Sequence, residues 1–340
     1  MTRAPRALVV LMLGAAAACG GSSSSGDDQG AIDAAPADGG IGCAATDPRQ
    51  GATTLSIGPD DWDDATALID GATSSIELQM YLFTVDEVAD RLVAAKNRGV
   101  DVRVLLDPDH DGNPDVRAQL SAAGVQVKDA PSRFEFSHAK YLVVDGDTAI
   151  VMSGNFNYDA YSEERNYAAT LHDPDDVADL RAIFEADWTG GADPDLGCTR
   201  LLVSPVNSRT RILQHIASAE SRLDIEAIYF SESSVRAAVV EAKNRGVAVR
   251  VMLAPPEAFD ANYAAIQIMQ NQDIPVKVVH DFLLHAKLIL ADDAALIGSQ
   301  NYSDTSLSDN REVGVIVTDP AIIDAIESQY AADWAVADEP

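Results

Sequence analysis

Basic residues are scarce in this chain. Across 340 residues, 24 Lys and Arg face 54 Asp and Glu, a formal net charge of -30, and no run of basic residues occurs. A protein that neutralises several phosphates of a nucleic acid presents a basic stripe. The balance therefore argues against a nucleic-acid partner, while leaving room for a small cationic pocket; acidity by itself favours solubility. Long apolar runs are also missing: beyond the N-terminus nothing is long enough to span a bilayer. Cysteine is sparse, with Cys19, Cys43 and Cys198 only. What is present is a globular composition, 47% apolar, in a chain long enough for two ordinary domains or one domain built from two halves.

Residues 1–19 carry Arg3 and Arg6, an apolar run from Ala7 to Leu13, and small residues up to Cys19. This is a positive n-region, an h-region of export-signal length and a small-residue cleavage site. The segment resembles a bacterial lipoprotein signal, in which Cys19 becomes the acylated first residue, although Ala16 stands where that pattern has Leu. A plain secretory peptide that removes Cys19 is the alternative. Both predict export, and the first adds a lipid anchor on the periplasmic or cell-surface face of the envelope. Residues 20–45, rich in Gly, Ser, Asp and Ala, read as a flexible tether. With Cys19 lipidated, Cys43 and Cys198 remain as an even pair in an oxidising compartment and are predicted to form a disulfide; two unpaired buried thiols are the alternative.

The rest of the chain is an internal repeat. Ala95-Lys-Asn-Arg-Gly-Val100 returns as Ala242-Lys-Asn-Arg-Gly-Val247, 147 residues on. His138-x-Lys140-x4-Asp145 returns at the same offset as His285-x-Lys287-x4-Asp292. Each motif leads to a turn, Ser153-Gly154-Asn155 and Ser299-Gln300-Asn301. A repeat of this length marks a duplicated domain, since solenoid periods are about 20–50 residues. Within each half, strand-like runs (Ile76 to Phe83, Leu223 to Phe230) alternate with amphipathic stripes (Val88, Leu92, Ala95; Val235, Val239, Ala242) closed by Gly99 and Gly246. That order predicts an α/β fold with a mixed sheet in each half, at 48–192 and 199–336.

The paired His-x-Lys-x4-Asp motifs with their Ser-x-Asn turns resemble the phospholipase D superfamily. The resemblance implies two mixed-sheet halves flanked by helices, packed about a pseudo-twofold axis, with the active site at their interface. It implies a phosphohistidine intermediate, with His138 as nucleophile and His285 as general acid and then base. It also implies that Asp145 and Asp292 are structural, and that a downstream carboxylate, Glu312, orients His138 from the other half. The place matching Glu312 in the first half holds Asn166, which would face His285, with Glu163 or Glu164 as substitutes. Met152 stands where the family has Gly; Gly298 keeps the pattern.

The residue types suit that chemistry without a cofactor or metal. Imidazole serves as nucleophile or acid because its reference pKa is about 6.5. Lys140 and Lys287, two residues along a strand from their histidines, share the same face, so each half brings an ammonium to the phosphate. Asn155, Asn301, Ser153 and Ser299 add neutral hydrogen-bonding groups. His110, His172, His215 and His280 have no histidine partner in the repeat and read as surface or packing residues. The Asp107–Asp115 loop resembles a calcium loop, but Ala118 occupies the place of the bidentate Glu, so it reads as a solvated loop and any metal there as accessory.

The sequence thus predicts a metal-independent phosphodiesterase of phospholipase D type, a monomer hydrolysing phospholipid head-group esters at a membrane surface. A family endonuclease is the alternative, opposed by the acidic balance. A cardiolipin synthase-like transferase ranks lower, because no additional membrane segment precedes the catalytic region. A non-catalytic envelope binding protein ranks lower still, because both motifs are intact.

Overall fold

Apolar stripes and apolar runs in the sequence become alternating helices and strands, twice over. The computed structural model describes residues 53–59, 63–197 and 199–340. The export signal, the 20–45 tether, the proposed lipidation at Cys19 and the Cys43–Cys198 disulfide lie outside the described residues.

The first half opens with β1 (Thr54–Ile57), α1 (Asp63–Gly71), β2 (Ser75–Met80), α2 (Asp86–Asn97) and β3 (Asp101–Leu106). It continues through α3 (Asn113–Ala122), β4 (Gln126–Asp129), β5 (Lys140–Val144) and β6 (Thr148–Met152). It closes with α4 (Tyr158–Ser162), β7 (Glu164–Arg165), β8 (Tyr167–Leu171) and α5 (Pro174–Thr189). The second half repeats the plan with β9 (Leu201–Ser204), α6 (Ser208–Ser218), β10 (Arg222–Ala227), α7 (Ser233–Asn244) and β11 (Ala248–Leu253). Then come α8 (Asn262–Asn271), β12 (Val276–Val278), β13 (Leu283–Leu284), β14 (Lys287–Ala291) and β15 (Ala294–Gly298), followed by α9 (Asp304–Ser308), β16 (Glu312–Val317) and α10 (Pro320–Val336).

Each half holds one seven-stranded mixed sheet, ordered β1-β8-β6-β5-β2-β3-β4 and β9-β16-β15-β14-β10-β11-β12. The β2-β3-β4 and β10-β11-β12 triples are parallel, as the strand–helix–strand crossovers require, and the remaining neighbours are antiparallel. Gly99 (φ 98°) and Gly246 (φ 96°) end α2 and α7 in the left-handed region, which a residue without Cβ adopts at little cost.

The strand predicted to run to Phe83 stops at Met80 instead. Asn113 accounts for this: its carbonyl takes the Phe83 N–H (3.0 Å) and its amide donates to the carbonyls of Tyr81 and Asp107 (both 2.9 Å). Asn262 braces Phe230, Ile228 and Ala254 in the same way. Both loops are thereby fixed where the sheets end, and that is where the motif histidines lie.

The motif strands are buried on both faces. Tyr141 and Val143 of β5 join Leu288 and Leu290 of β14 in one apolar cluster shared by the halves, together with Leu180 and Phe184 of α5 and Ile326 and Tyr330 of α10. Leu142 and Val144 face a core private to the first half, and Ile289 and Ala291 one private to the second.

The halves are also tied by two buried ion pairs. Arg311 grips Asp187 of α5 with Nε and Nη2, both at 2.9 Å. Arg165 grips Asp333 of α10 at 2.7 and 3.0 Å. Both guanidinium–carboxylate pairs have the bidentate geometry that makes such contacts strong and directional.

Candidate active site

Each motif histidine enters its strand from a short parallel pairing with the other half. The His138 N–H donates to the Arg311 carbonyl (2.9 Å) and the Arg311 N–H to the Phe136 carbonyl (2.9 Å). In the second half, β13 pairs in parallel with β7, and the His285 N–H donates to the Arg165 carbonyl (3.1 Å). The seam therefore runs through two triplets, Glu164-Arg165-Asn166 and Asn310-Arg311-Glu312. The arginine is shared, while Glu and Asn have exchanged places.

That exchange makes the two histidines unequal. Nδ1 of His138 lies 2.8 Å from Glu312 Oε2. Burial opposes the charge on Glu312, but the His138 imidazole and Lys140 outweigh it and hold the carboxyl below its ordinary value. An ionised carboxylate only accepts, so Nδ1–H donates and Nε2 is the free ring nitrogen. Glu312 Oε1 takes Ser306 Oγ (2.6 Å) and Asn310 Nδ2 (3.0 Å). Nδ1 of His285, by contrast, donates to the neutral Asn166 Oδ1 at 3.0 Å and lies 3.2 Å from Glu164 Oε2. Burial pushes the Glu164 carboxyl up, against the Asn166 amide and the two motif lysines.

Desolvation dominates the remaining electrostatics. It pulls His138 down to about 4, with Glu312 opposing and Lys140 assisting. It drives His285 well below 6.5, helped by Lys287 and Lys140. Lys140 falls to about 7, against Glu312, Glu164 and Asp107, and Lys287 falls well below 10.5 through burial and Lys140. Each ammonium donates to the carbonyl of its own histidine. Four buried groups that disfavour their own positive charge form a site that an anion stabilises.

The other predicted residues separate into two groups. Asn155 and Asn301 have side-chain carbonyls that are buried and without a hydrogen-bond partner among the described residues; these oxygens accept, so only the Nδ2 groups can meet a phosphate oxygen. Ser153 and Ser299 are committed to the fold. Ser153 Oγ bonds Asn166 Oδ1 (2.8 Å) and accepts the Tyr167 N–H (2.9 Å); Ser299 Oγ accepts the Val313 N–H (3.0 Å). Asp145 and Asp292 lie at the far ends of their strands. Asp145 accepts the N–H groups of Thr73, Ser74 and Ser75 at 2.7–3.1 Å, and Asp292 those of Glu220, Ser221 and Arg222 at 2.6–2.9 Å.

Repeat logic missed the residues that lack a twin. Tyr81 packs edge-on to His138 (ring centroids 4.6 Å) and to His110 (4.8 Å), and Lys140 Nζ lies 5.0 Å from its ring centre. Burial, Asp107 and Glu312 push its phenol up to about 12. Asp107, from the acidic loop, turns inward and accepts the Ser137 N–H at 2.7 Å. The second-half partner of Tyr81 is Ile228, so no repeated pattern pointed to it.

Among known proteins, the family model described as cardiolipin synthase, PLD-like domain, matches residues 66–188 and again 212–334. The probable cardiolipin synthase YwiE of Bacillus subtilis is 24% identical over 326 residues, covering 82% of this chain and 65% of that protein. Cardiolipin synthase A of Pseudomonas putida W619 is 25% identical, covering 91% of this chain and 73% of that one. The chain thus spans about two-thirds to three-quarters of the length of these relatives. Among solved structures, phosphatidylserine synthase of Haemophilus influenzae shares the fold, with a TM-score of 0.66 at 14% identity over 83% of this chain and 87% of that one.

These relatives overturn the expectation of head-group hydrolysis, because they are named as synthases. The physical reason is that water and alcohols are both hydroxyl nucleophiles, and a set of His, Lys and Asn side chains suited to a phosphodiester does not encode which of them is used. The ranking of a synthase below a hydrolase rested on membrane segments, which lie outside the chemistry of the site.

Proposed function

Because the chain belongs to the family of cardiolipin synthase, PLD-like domains, we propose that it is a phosphatidyl transferase. It moves a phosphatidyl group from a phospholipid donor to the hydroxyl of an alcohol, through a covalent adduct on His138. The synthase relatives support transfer over hydrolysis, and the observation that carries the covalent step is the 2.8 Å contact between Glu312 and Nδ1 of His138. It keeps the proton on Nδ1, leaves Nε2 as nucleophile, and stabilises the positive ring that forms on attack.

In the first step Nε2 of His138 attacks phosphorus, the bond to the donor's alcohol oxygen breaks, and His285 gives that oxygen its proton. In the second step the acceptor hydroxyl loses its proton to His285 as its oxygen bonds to phosphorus and the P–N bond breaks. His285 suits this work because its Nδ1 contact is the neutral Asn166 oxygen, with Glu164 beside it. Lys140, Lys287, Asn155 and Asn301 hold the non-bridging oxygens, where negative charge grows. Ser153 and Ser299 act through their neighbours, and the anionic substrate restores protons that burial removes from the lysines and His285.

The test is to incubate the full chain with phosphatidylglycerol vesicles and analyse the lipids. Cardiolipin with an equal amount of released glycerol supports the reading. Phosphatidic acid as the only phospholipid product, even with added alcohols, overturns it.

A further inference from the structure

Beside His285 the fold opens a pocket of about 200 Å³. Its lining is mostly apolar, with Ile228, Ala254, Phe259 and Phe282 among it, and its polar members are Glu164, His280 and His285. The matching place in the first half is polar. Counting back 147 residues, Ile228, Ala254 and Leu284 become Tyr81, Asp107 and Ser137, and there the Asp107 carboxylate accepts the Ser137 N–H. Tyr81 and Ile228 follow directly on β2 and β10, and Asp107 and Ala254 on β3 and β11, strands whose parallel pairings correspond residue for residue. The fold tolerates a polar lining at this place, so packing alone does not demand an apolar one.

We propose that this pocket receives the apolar segment beside the hydroxyl of the acceptor alcohol, and that Ile228, Ala258, Phe259 and Phe282 set acceptor preference. This rests on the transferase reading above. In-line displacement places the entering oxygen opposite His138, on the side of His285. The acceptor's proton passes to Nε2 of His285 as the O–P bond forms and the P–N bond to His138 breaks. The donor's leaving alcohol holds the same place in the first step and vacates it, so the group on the entering oxygen then lies against a pocket that His285 itself lines. The apolar segment sheds water there, which favours acceptors with a hydrocarbon stem over small polyols.

The experiment uses the full chain, phosphatidylglycerol vesicles as donor, and the 1-alkanols from ethanol to octanol as acceptors. Wild type is compared with Ala258→Trp, which fills the pocket, and Phe259→Ala, which enlarges it. Longer alcohols enter vesicles more readily for every variant, so the quantity read is the difference in slope between variants. A methylene buried in the pocket raises kcat/KM about fourfold. Ala258→Trp is expected to flatten that rise whatever its rate with ethanol, and Phe259→Ala to carry the rise to longer chains. Should Ala258→Trp not fold, Phe259→Ala alone decides. Slopes equal to wild type in a folded variant that still transfers to ethanol overturn the pocket assignment and leave the transferase reading standing. Wild type that forms no phosphatidyl-alkanol with any acceptor overturns both.

Discussion

Glu312 and His138 stand 174 residues apart in the chain and 2.8 Å apart in space. The carboxylate comes from the second half, the imidazole from the first, and the contact exists only because the two halves of a duplicated domain face each other. The pseudo-equivalent contact, Asn166 with His285 at 3.0 Å, has the same geometry and no net charge. One duplication thus produced two imidazoles with different partners.

Glu312→Gln removes the charge that stabilises the His138 ring and leaves its shape. The expected loss in kcat is on the order of 10²- to 10⁴-fold, the range that positioned acid–base partners supply. Glu164→Gln costs less, because Asn166 still accepts from His285. Steady-state transfer rates of the two variants check the order; equal losses would remove the distinction between the histidines.

Three titrations of the free enzyme bound its working range. His138, held down to about 4 by burial despite Glu312, must be neutral to attack. His285, driven well below 6.5 by burial, must carry the proton it gives to the leaving oxygen, and Lys140, held down to about 7 by burial, must be charged to draw in the phosphate. kcat/KM therefore rises as pH climbs through about 4, and its fall begins with the loss of the His285 proton, before Lys140 titrates at about 7. A pH profile of kcat/KM on vesicles of constant surface charge reads both limbs.

Arg311→Leu removes the bidentate partner of the fully buried Asp187 carboxylate and leaves it only Arg133 (3.0 Å) and the Gln79 amide (3.3 Å). Breaking a buried pair by removing one partner costs about 3–5 kcal/mol. Arg165→Leu, which strands Asp333, is expected to behave alike. Urea unfolding measures the loss; a value below about 1 kcal/mol would place these pairs with exposed ones.

Asp145 stabilises without touching the chemistry. Burial raises its carboxyl, but the N–H groups of Thr73, Ser74 and Ser75, with the hydroxyls of Thr73 and Ser74, together outweigh it and hold the carboxyl far below the ordinary value. With the folded-state value depressed, its contribution is present above the unfolded carboxylate pKa and is lost as pH falls through the folded one. Asp145→Asn is expected to lower Tm by about 2–4 °C at neutral pH, the shift a loss near 1 kcal/mol gives in a domain of this size. The gap from wild type narrows in acid, and transfer per folded molecule is kept. A fall in activity at unchanged Tm would contradict this.

The duplication made the fold legible. A shared offset of 147 residues between Ala95-Lys-Asn-Arg-Gly-Val100 and its copy, and between His138 and His285, marked a duplicated α/β domain with a mixed sheet in each half; the strand order within each sheet was not in the pattern. Residues present in both halves were therefore within reach of sequence reasoning. Tyr81 was out of reach because its twin is Ile228, and Asp107 because its twin is Ala254. Arg165 and Arg311 are repeated, but nothing in a sequence says that an arginine beside a strand reaches a carboxylate two helices away. The acceptor was illegible for a different reason: water and alcohols are both hydroxyl nucleophiles, so the motif residues are blind to the distinction.

The most direct test of the account is to find the covalent adduct. A phosphodiester with a p-nitrophenolate leaving group needs no proton from His285, so His285→Ala mixed rapidly with it should still release one p-nitrophenolate per site in a burst. Peptide mass spectrometry under alkaline conditions, which preserve phosphoramidates, should then place the phosphoryl group on His138, with none formed in His138→Ala. An adduct trapped on His285 in His138→Ala, or no adduct in any variant that turns over, would contradict the assignment of His138 as nucleophile.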